Sequence, residues 1–174
     1  MAEDSSGYKV RATYIAERKK AEFEARKRVE DRGGTITAAS SALVTFVFGI
    51  TVFLTGKDFT KLVSGSAAII LLFALLAFTV SAALGIFVQN APLKYKAADQ
   101  PTLESFLQQN ALWNSSERDA ANDCAWLDID SIFSLQETTK LKARIATVAL
   151  SVQALAILLL VVSLALDFHT RGLL

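Results

Sequence analysis

The sequence predicts an all-α integral membrane protein with three transmembrane helices, and three observations carry that prediction. Hydrophobic residues make up 52% of the 174 and the mean hydropathy is +0.38. The apolar residues fall into three blocks, Thr35 to Gly56, Leu62 to Val88 and Ile145 to Leu166, none containing Asp, Glu, Lys, Arg or His. These blocks are 22, 27 and 22 residues long, and about 20 helical residues cross a bilayer's hydrocarbon core. A soluble fold would have to wrap three helices, apolar on every face, in too little polar sequence. The first block begins after a long charged segment, unlike the shorter and earlier apolar stretch of a cleavable signal peptide.

The segment before the first block, residues 1–34, is a cytoplasmic charged helix in this reading. From Tyr8 to Arg32 it is rich in Ala, Glu, Lys and Arg and lacks Pro and Gly, a composition that favours helix. Glu22 with Arg26 and Glu24 with Arg28 add opposite charges at the i, i+4 spacing. Tyr8, Ala12, Ile15 and Phe23 form a thin, interrupted apolar stripe, too weak for a coiled coil. Gly33-Gly34 reads as a break or hinge before the membrane.

The first span, 35–56, is rich in hydroxyls. At helical spacing Ala38, Ser41, Thr45, Gly49 and Gly56 cluster on one side, while Leu43, Phe46, Val47, Ile50 and Phe53 fill much of the remainder. Such a face either lets helices approach closely and hydrogen-bond or lines a water-filled pore formed by several copies. An external loop, 57–61, leads to the second span, 62–88, which has a lesser small face of Ala74, Ala77, Ser81 and Gly85. At "GIFVQNAPLKYK" the medium changes. Pro92 cannot continue the helix, Tyr95 suits the headgroup zone, and Lys94 and Lys96 suit anionic lipid. With Arg32 and Arg144 they form the expected interface anchors.

Residues 89–144 are long enough for a helical cytoplasmic region. "PTLESFLQQNALW", opened by Pro101 and Thr102, suits a short amphipathic helix through Leu103, Phe106, Leu107 and Trp113. Ser115 or Ser116 then caps a long helix from about Glu117, with Glu117 and Asp119 favoured by the dipole of its first turn. No Pro or Gly follows before Gly172, so this helix is expected to run unbroken into the third span, 145–166. Trp126, Leu127, Ile129, Ile132, Phe133 and Leu135 are expected to pack toward the other cytoplasmic helices. In the third span Gln153 is the one strongly polar side chain, about 12 Å inside the inner boundary at the helical rise, and should face another helix or a cavity. Residues 167–174 form an external tail.

Basic residues orient the chain. Of the 18, nine lie in residues 1–34 and six between the second and third blocks (Lys94, Lys96, Arg118, Lys140, Lys142, Arg144), leaving only Lys57, Lys61 and Arg171. The N terminus and long loop are therefore cytoplasmic and the C terminus outside, in a plasma membrane. The net charge of +1 carries no such information. With eight acids against six bases, the 89–144 region lacks the concentrated positive field that a polynucleotide needs.

Chemistry finds no foothold. Asp123, Asp128 and Asp130 do not share one helix face, and no nucleophile, glycine-rich phosphate loop or metal-ligand spacing accompanies them. The single cysteine, Cys124, has no partner for an intrachain disulfide and no activating basic neighbour. His169, the single histidine, has no Cys or His at ligand spacing. The chain is expected not to be an enzyme, with no catalytic residue, cofactor or metal. Because the spans hold no ionisable residue, an intramembrane proton relay or voltage sensor is disfavoured.

The order of a charged helix, Gly33-Gly34, a first span with "LVTFVFGI", a second ending "NAPLKY" and a loop ending "LQETTKLKA" before a third span resembles small bacterial membrane proteins related to the Pycsar transmembrane effectors. It is similar, more distantly, to the SMODS- and SLOG-associating transmembrane effectors of bacterial defence. The likeness covers nearly the whole chain. It implies an inner-membrane effector of anti-phage defence that, on a nucleotide second message or another infection signal, oligomerises or opens and breaches the permeability barrier. Ala38, Ser41, Thr45, Gly49 and Gln153 are then the candidate pore or helix-packing face, and the partners are the lipid bilayer and further copies of the chain. The alternative is a non-conducting membrane adaptor that holds a cytoplasmic protein through its loop helices.

Overall fold

The computed structural model describes residues 4–55, 65–96, 101, 104–105 and 116–170. Among them every regular element is helical, and three long helices dominate: α1 (Asp4–Thr55), α2 (Gly65–Asn90) and α3 (Glu117–Thr170). Of the amphipathic segment expected after Pro101, only Pro101, Glu104 and Ser105 are described, and these are helical; the rest lies outside the described residues. Two of the long helices, α2 and α3, are long and apolar enough to cross a membrane. Side chains 50–55, at the end of the first apolar block, lie outside the description.

The expectation of one long helix from Glu117 into the third block holds. Ser116 Oγ accepts the Asp119 N–H at 3.2 Å and donates to Asp119 Oδ2 at 2.7 Å, so the cap satisfies an end amide and fixes an acid in the first turn. The α2 ending also follows the sequence. Ala91 N–H still reaches Phe87 O at 2.8 Å, and Pro92 then stops the helix.

The break expected at Gly33-Gly34 does not occur, since α1 passes through both residues as helix. Their role is close approach. A Cβ on Gly33 would lie 2.7 Å from Gly85 O, and one on Gly85 would lie 2.8 Å from Gly33 O and 2.6 Å from Thr37 Oγ1. Two glycine backbones therefore touch where any side chain would force the helices apart.

The chain divides into two compact units, 1–28 with 92–141 and 29–91 with 142–174. In the second unit α1 and α3 run in the same direction, since Glu30 meets Lys142 and Ile36 packs with Ala146 and Ala149, while α2 runs opposite to both. The points where the chain passes to the other unit, Val29, Ala91 and Lys142, consequently lie at one end of this bundle.

Its packing is inverted relative to a water-soluble core. The buried seam is made mostly of small or polar residues, with Ile36, Val47, Phe78 and Val88 as its large apolar members: Gly33, Ile36, Ser40 and Val47 from α1; Ala67, Ala74, Phe78, Ser81, Gly85 and Val88 from α2; Ala146, Ala149, Gln153, Ala156 and Ser163 from α3. Large side chains point outward, among them Phe46, Phe48, Leu72, Phe73, Leu76, Leu155, Leu158 and Val161. Only 22% of the apolar window in either α2 or α3 is buried, whereas a helix apolar all round in a soluble protein is a core helix. Val47, grouped by sequence with the outer residues, is buried, while Phe46 is outside.

Hydroxyls join the helices where the small residues bring them together. Ser81 Oγ donates to Ala149 O at 2.9 Å and accepts from Ser40 Oγ at 3.4 Å; Ser163 Oγ donates to Ala67 O at 2.8 Å. Interhelical bonds of this kind contribute about 0.6 kcal/mol each in lipid, up to ~1.7.

In the first unit α1 and α3 are again parallel, held by Lys19 Nζ to Asp128 Oδ1 at 2.6 Å and Gln136 Nε2 to Glu22 Oε1 at 2.9 Å. The strip after α2 joins them through Lys96 N–H to Ser134 Oγ at 2.9 Å. Ile132 and Leu135 are buried as expected, but Trp126 and Phe133, 65% and 62% exposed, are not part of the packing. The reason is register. Residues 121, 125, 128, 132, 135, 139 and 142 of α3 repeat at alternating four and three spacings and are all shielded, and Trp126 and Phe133 lie off that line. In α1 the matching line, 8, 12, 15, 19, 22, 26, 29, 33, 36, 40, 43 and 47, is likewise never fully exposed. A seven-residue repeat is the pattern of left-handed coiled packing; Tyr8, Ala12 and Ile15 of the apolar stripe fall on the α1 line, whereas Phe23 is exposed and lies off it.

Candidate functional site

The sequence-derived face of the first span lies on the outside of its bundle. Ala38, Ser41, Thr45 and Gly49 are all exposed, and a Cβ on Gly49 would meet nothing within 4 Å. Gln153 is buried, 8% exposed, in the α3 seam between Ala149 and Ala156. The structure therefore brings the four α1 residues together and keeps Gln153 apart from them, inside. The small face of α2 behaves oppositely: Ala74, Ser81 and Gly85 are buried and Ala77 half-buried, so it is used within the chain.

On the outer α1 face, local chemistry sets what each hydroxyl offers. Thr45 Oγ1 donates to Ser41 O at 3.0 Å, and Thr35 Oγ1 donates to Asp31 O at 3.1 Å. A hydroxyl has one proton and two lone pairs, so a threonine whose proton is spent on its own helix turns acceptor capacity outward. Such a face suits a cation or a water file better than an anion.

At the seam's end a charge pair is enclosed. Lys142 Nζ lies 2.6 Å from Glu30 Oε1; the Lys142 side chain is 1% exposed and that of Glu30 28%. This pair was not recognised from the sequence, although both residues fall at or beside the heptad line. Among the expected interface anchors, Arg32, Lys94, Lys96 and Arg144 are exposed. Lys96 also pairs with Asp130 at 3.4 Å. Tyr95 is half-buried as a packing group, edge-on to Phe23 at 5.5 Å between ring centroids with the Arg26 guanidinium 5.5 Å over its ring.

At the far end of the first unit, α1 and α3 border a groove of about 590 Å³ whose lining includes Tyr8, Arg11, Ala12, Ile15, Arg118, Asp119, Ala125 and Trp126. A clasp closes its rim. The Tyr8 phenol donates to Glu117, which holds the Glu117 carboxyl below its ordinary pKa with help from the Lys9 charge 3.6 Å away. The same carboxylate pushes the Tyr8 phenol and the Lys9 ammonium up, through its hydrogen bond and its charge respectively. The lowered carboxyl favours the folded clasp above its unfolded pKa and loses that contribution as pH falls through the folded one. The raised phenol and ammonium contribute below their unfolded values and lose it in the alkaline range. The protection factors of amides in the first turns of α1 and α3, taken relative to the intrinsic exchange rate at each pH, are thus expected to be highest near neutral pH and to fall below the usual carboxylate range. Exchange at these turns that follows only the intrinsic pH dependence of amides, as it should in Glu117→Gln, would contradict the clasp.

Compared with known proteins, the chain matches no family model, no curated protein and no solved structure. The functional reading rests on its own residues and on the resemblance that its sequence carries.

Proposed function

We propose that the chain is a three-span protein of the bacterial inner membrane whose copies assemble through the outer face of α1 and, on an infection signal linked to a nucleotide, perturb the permeability of that membrane in anti-phage defence. The observation that carries the assembly is the position of Ala38, Ser41, Thr45 and Gly49: a small, hydroxylated strip left unused by α2 and α3, on a bundle that also turns many large apolar side chains outward. Hydroxyls facing lipid gain nothing, whereas against another copy or a water path they are solvated or bonded. The outward acceptor capacity of Thr45 favours cations as the conducted species. The three-span topology draws support from the inverted packing and from the parallel course of α1 and α3 within the second unit.

Expression at raised levels is expected to depolarise cells, read by a potential-sensitive dye, with chloride contributing little to the current in reconstituted bilayers. Thr45→Leu or Gly49→Leu should abolish this while the protein still inserts and folds, since both sites are open. Unchanged depolarisation in both variants would remove the pore face.

A second reading, an adaptor that holds a cytoplasmic protein, is favoured by the exposed Trp126 and Phe133 on α3. The purified protein separates the two: a symmetric oligomer with a central water path supports the first, a monomer the second.

A further inference from the structure

We infer that the first unit carries its own contact between copies: the open side of its α1–α3 pair docks on the same side of a second copy, the two pairs running parallel about a two-fold axis along the helices. This contact is separate from the outer face of α1 in the second unit and does not depend on whether the membrane portion conducts.

The side is fixed by what borders the groove. Gly7 and Arg11 of α1 and Asn122, Trp126 and Ile129 of α3 line it. At helical spacing Tyr14, Arg18 and Ala21 continue the α1 line, and Phe133 continues the α3 line. The other side of the pair is occupied by the strip after α2, through Tyr95 against Phe23 and Lys96 against Ser134. The groove side is left with three large aromatic side chains, Tyr14, Trp126 and Phe133, which are 69%, 65% and 62% exposed. Tyr and Trp are the residues that stabilise interfaces most when another surface buries them.

Charge selects the occupant. Bonded pairs across α1 and α3 are separated by 109 to 114 positions in the chain, so residues about 112 apart stand level. Four pairs on or beside the groove side have that separation: Arg11 with Asp123, Tyr14 with Trp126, Arg18 with Asp130 and Ala21 with Phe133. All eight residues are exposed, and each aspartate lies three residues before an aromatic, a neighbour on the helix surface. A two-fold axis along the helices lays α1 of one copy on α3 of the other with levels unchanged, the self-complementary pattern of a dimer contact. Arg11 and Arg18 then stand beside Asp123 and Asp130 of the partner subunit, Tyr14 meets Trp126 of the partner subunit, and the small Ala21 admits Phe133 of the partner subunit. An axis across the helices would lay α1 on α1 instead, setting arginine against arginine and aspartate against aspartate, which like-charge repulsion disfavours. Within its own copy Arg18 bonds Glu22 at 2.8 Å and Asp130 pairs with Lys96 at 3.4 Å. A guanidinium has five donors and a carboxylate two acceptor oxygens, so both residues can serve the partner as well. The match ends where Arg28 stands level with Lys140, which confines the contact to these four layers and leaves the groove enclosed between the two pairs.

Disulfide trapping of the full-length chain in isolated membranes tests the pairing. One tagged copy carries Ala21→Cys and a differently tagged copy Phe133→Cys, both in a Cys124→Ser background, and the co-expressed proteins are oxidised. A bridge needs Cα atoms within about 7 Å. The mixed disulfide is expected at least fivefold above the yield from Lys20→Cys with Phe133→Cys, since Lys20 is on another side of α1. Arg18→Asp in the Ala21→Cys copy should lower the yield at least fivefold, and Asp130→Arg in the other copy should restore it, with insertion and helicity unchanged. No mixed disulfide above the Lys20→Cys control, an equal yield of dimer from Ala21→Cys alone, or no rescue by the reversed charge in the second copy would each overturn the pairing.

Discussion

Gly85→Leu is expected to destabilise the protein by about 3 kcal/mol, the upper end for an overpacked site, and to lower its folded fraction in detergent accordingly. The clash is with backbone and cannot be relieved by a rotamer: the new Cβ alone would stand 2.8 Å from Gly33 O and 2.6 Å from Thr37 Oγ1. Separating the helices there also stretches the contacts beside it, Thr37 Oγ1 to Ala82 O at 3.4 Å and Ser40 to Ser81. Gly49→Leu is the matched control, because a Cβ at that position meets nothing; its effect on monomer stability should stay within about 0.5 kcal/mol. Denaturant titration of the two variants by circular dichroism measures the contrast. Equal stability would contradict the glycine contact between α1 and α2.

Glu30→Gln is expected to cost about 3–5 kcal/mol, the range for removing one partner of a buried ion pair. Lys142 is almost wholly enclosed, and its ammonium would lose the carboxylate 2.6 Å away while remaining inside. Lys142→Met should cost distinctly less, since Glu30 keeps partial access to solvent and Met preserves the packing of the stem. The double variant should recover most of the loss seen in Glu30→Gln. A double-mutant cycle gives the coupling directly, and additive effects of the two changes would mean that the pair contributes nothing. If the cycle confirms strong coupling, the pair fixes the register of α1 against α3 at one heptad step, as polar seam residues do in other coiled packings.

Helix continuity in α3 was legible because it depends on what is locally missing. No Pro or Gly interrupts the chain from Glu117 onward, and Ser116 announces the start. Gly33-Gly34 misled for the complementary reason: glycine signals a break by propensity, but here it answers to a neighbour, Gly85, 52 positions along the chain from Gly33. The seam was hidden by its chemistry. Counting apolar residues selects Trp126 and Phe133, while the packed line holds Lys19 and Asp128, half-buried, and Glu22 and Lys142, buried, each bonded across to the other helix. For the candidate face, helical spacing puts Ala38, Ser41, Thr45 and Gly49 on one side and all four are exposed, yet nothing in the spacing could say that this side is turned away from α2 and α3. Gln153 was expected to be shielded by another helix and it is buried, but its seam is not the side on which the α1 residues lie.

The account depends most on both polar portions sharing one side of the bilayer, and the single native cysteine tests this. Cys124 is exposed on α3 in the first unit, so a membrane-impermeant maleimide reports its side directly. In intact spheroplasts Cys124 should stay unlabelled and react only after lysis, whereas His169→Cys in a Cys124→Ser background should react at once from outside. Labelling of Cys124 in intact spheroplasts, or protection of the cysteine at position 169, would contradict the three-span topology and the function built on it.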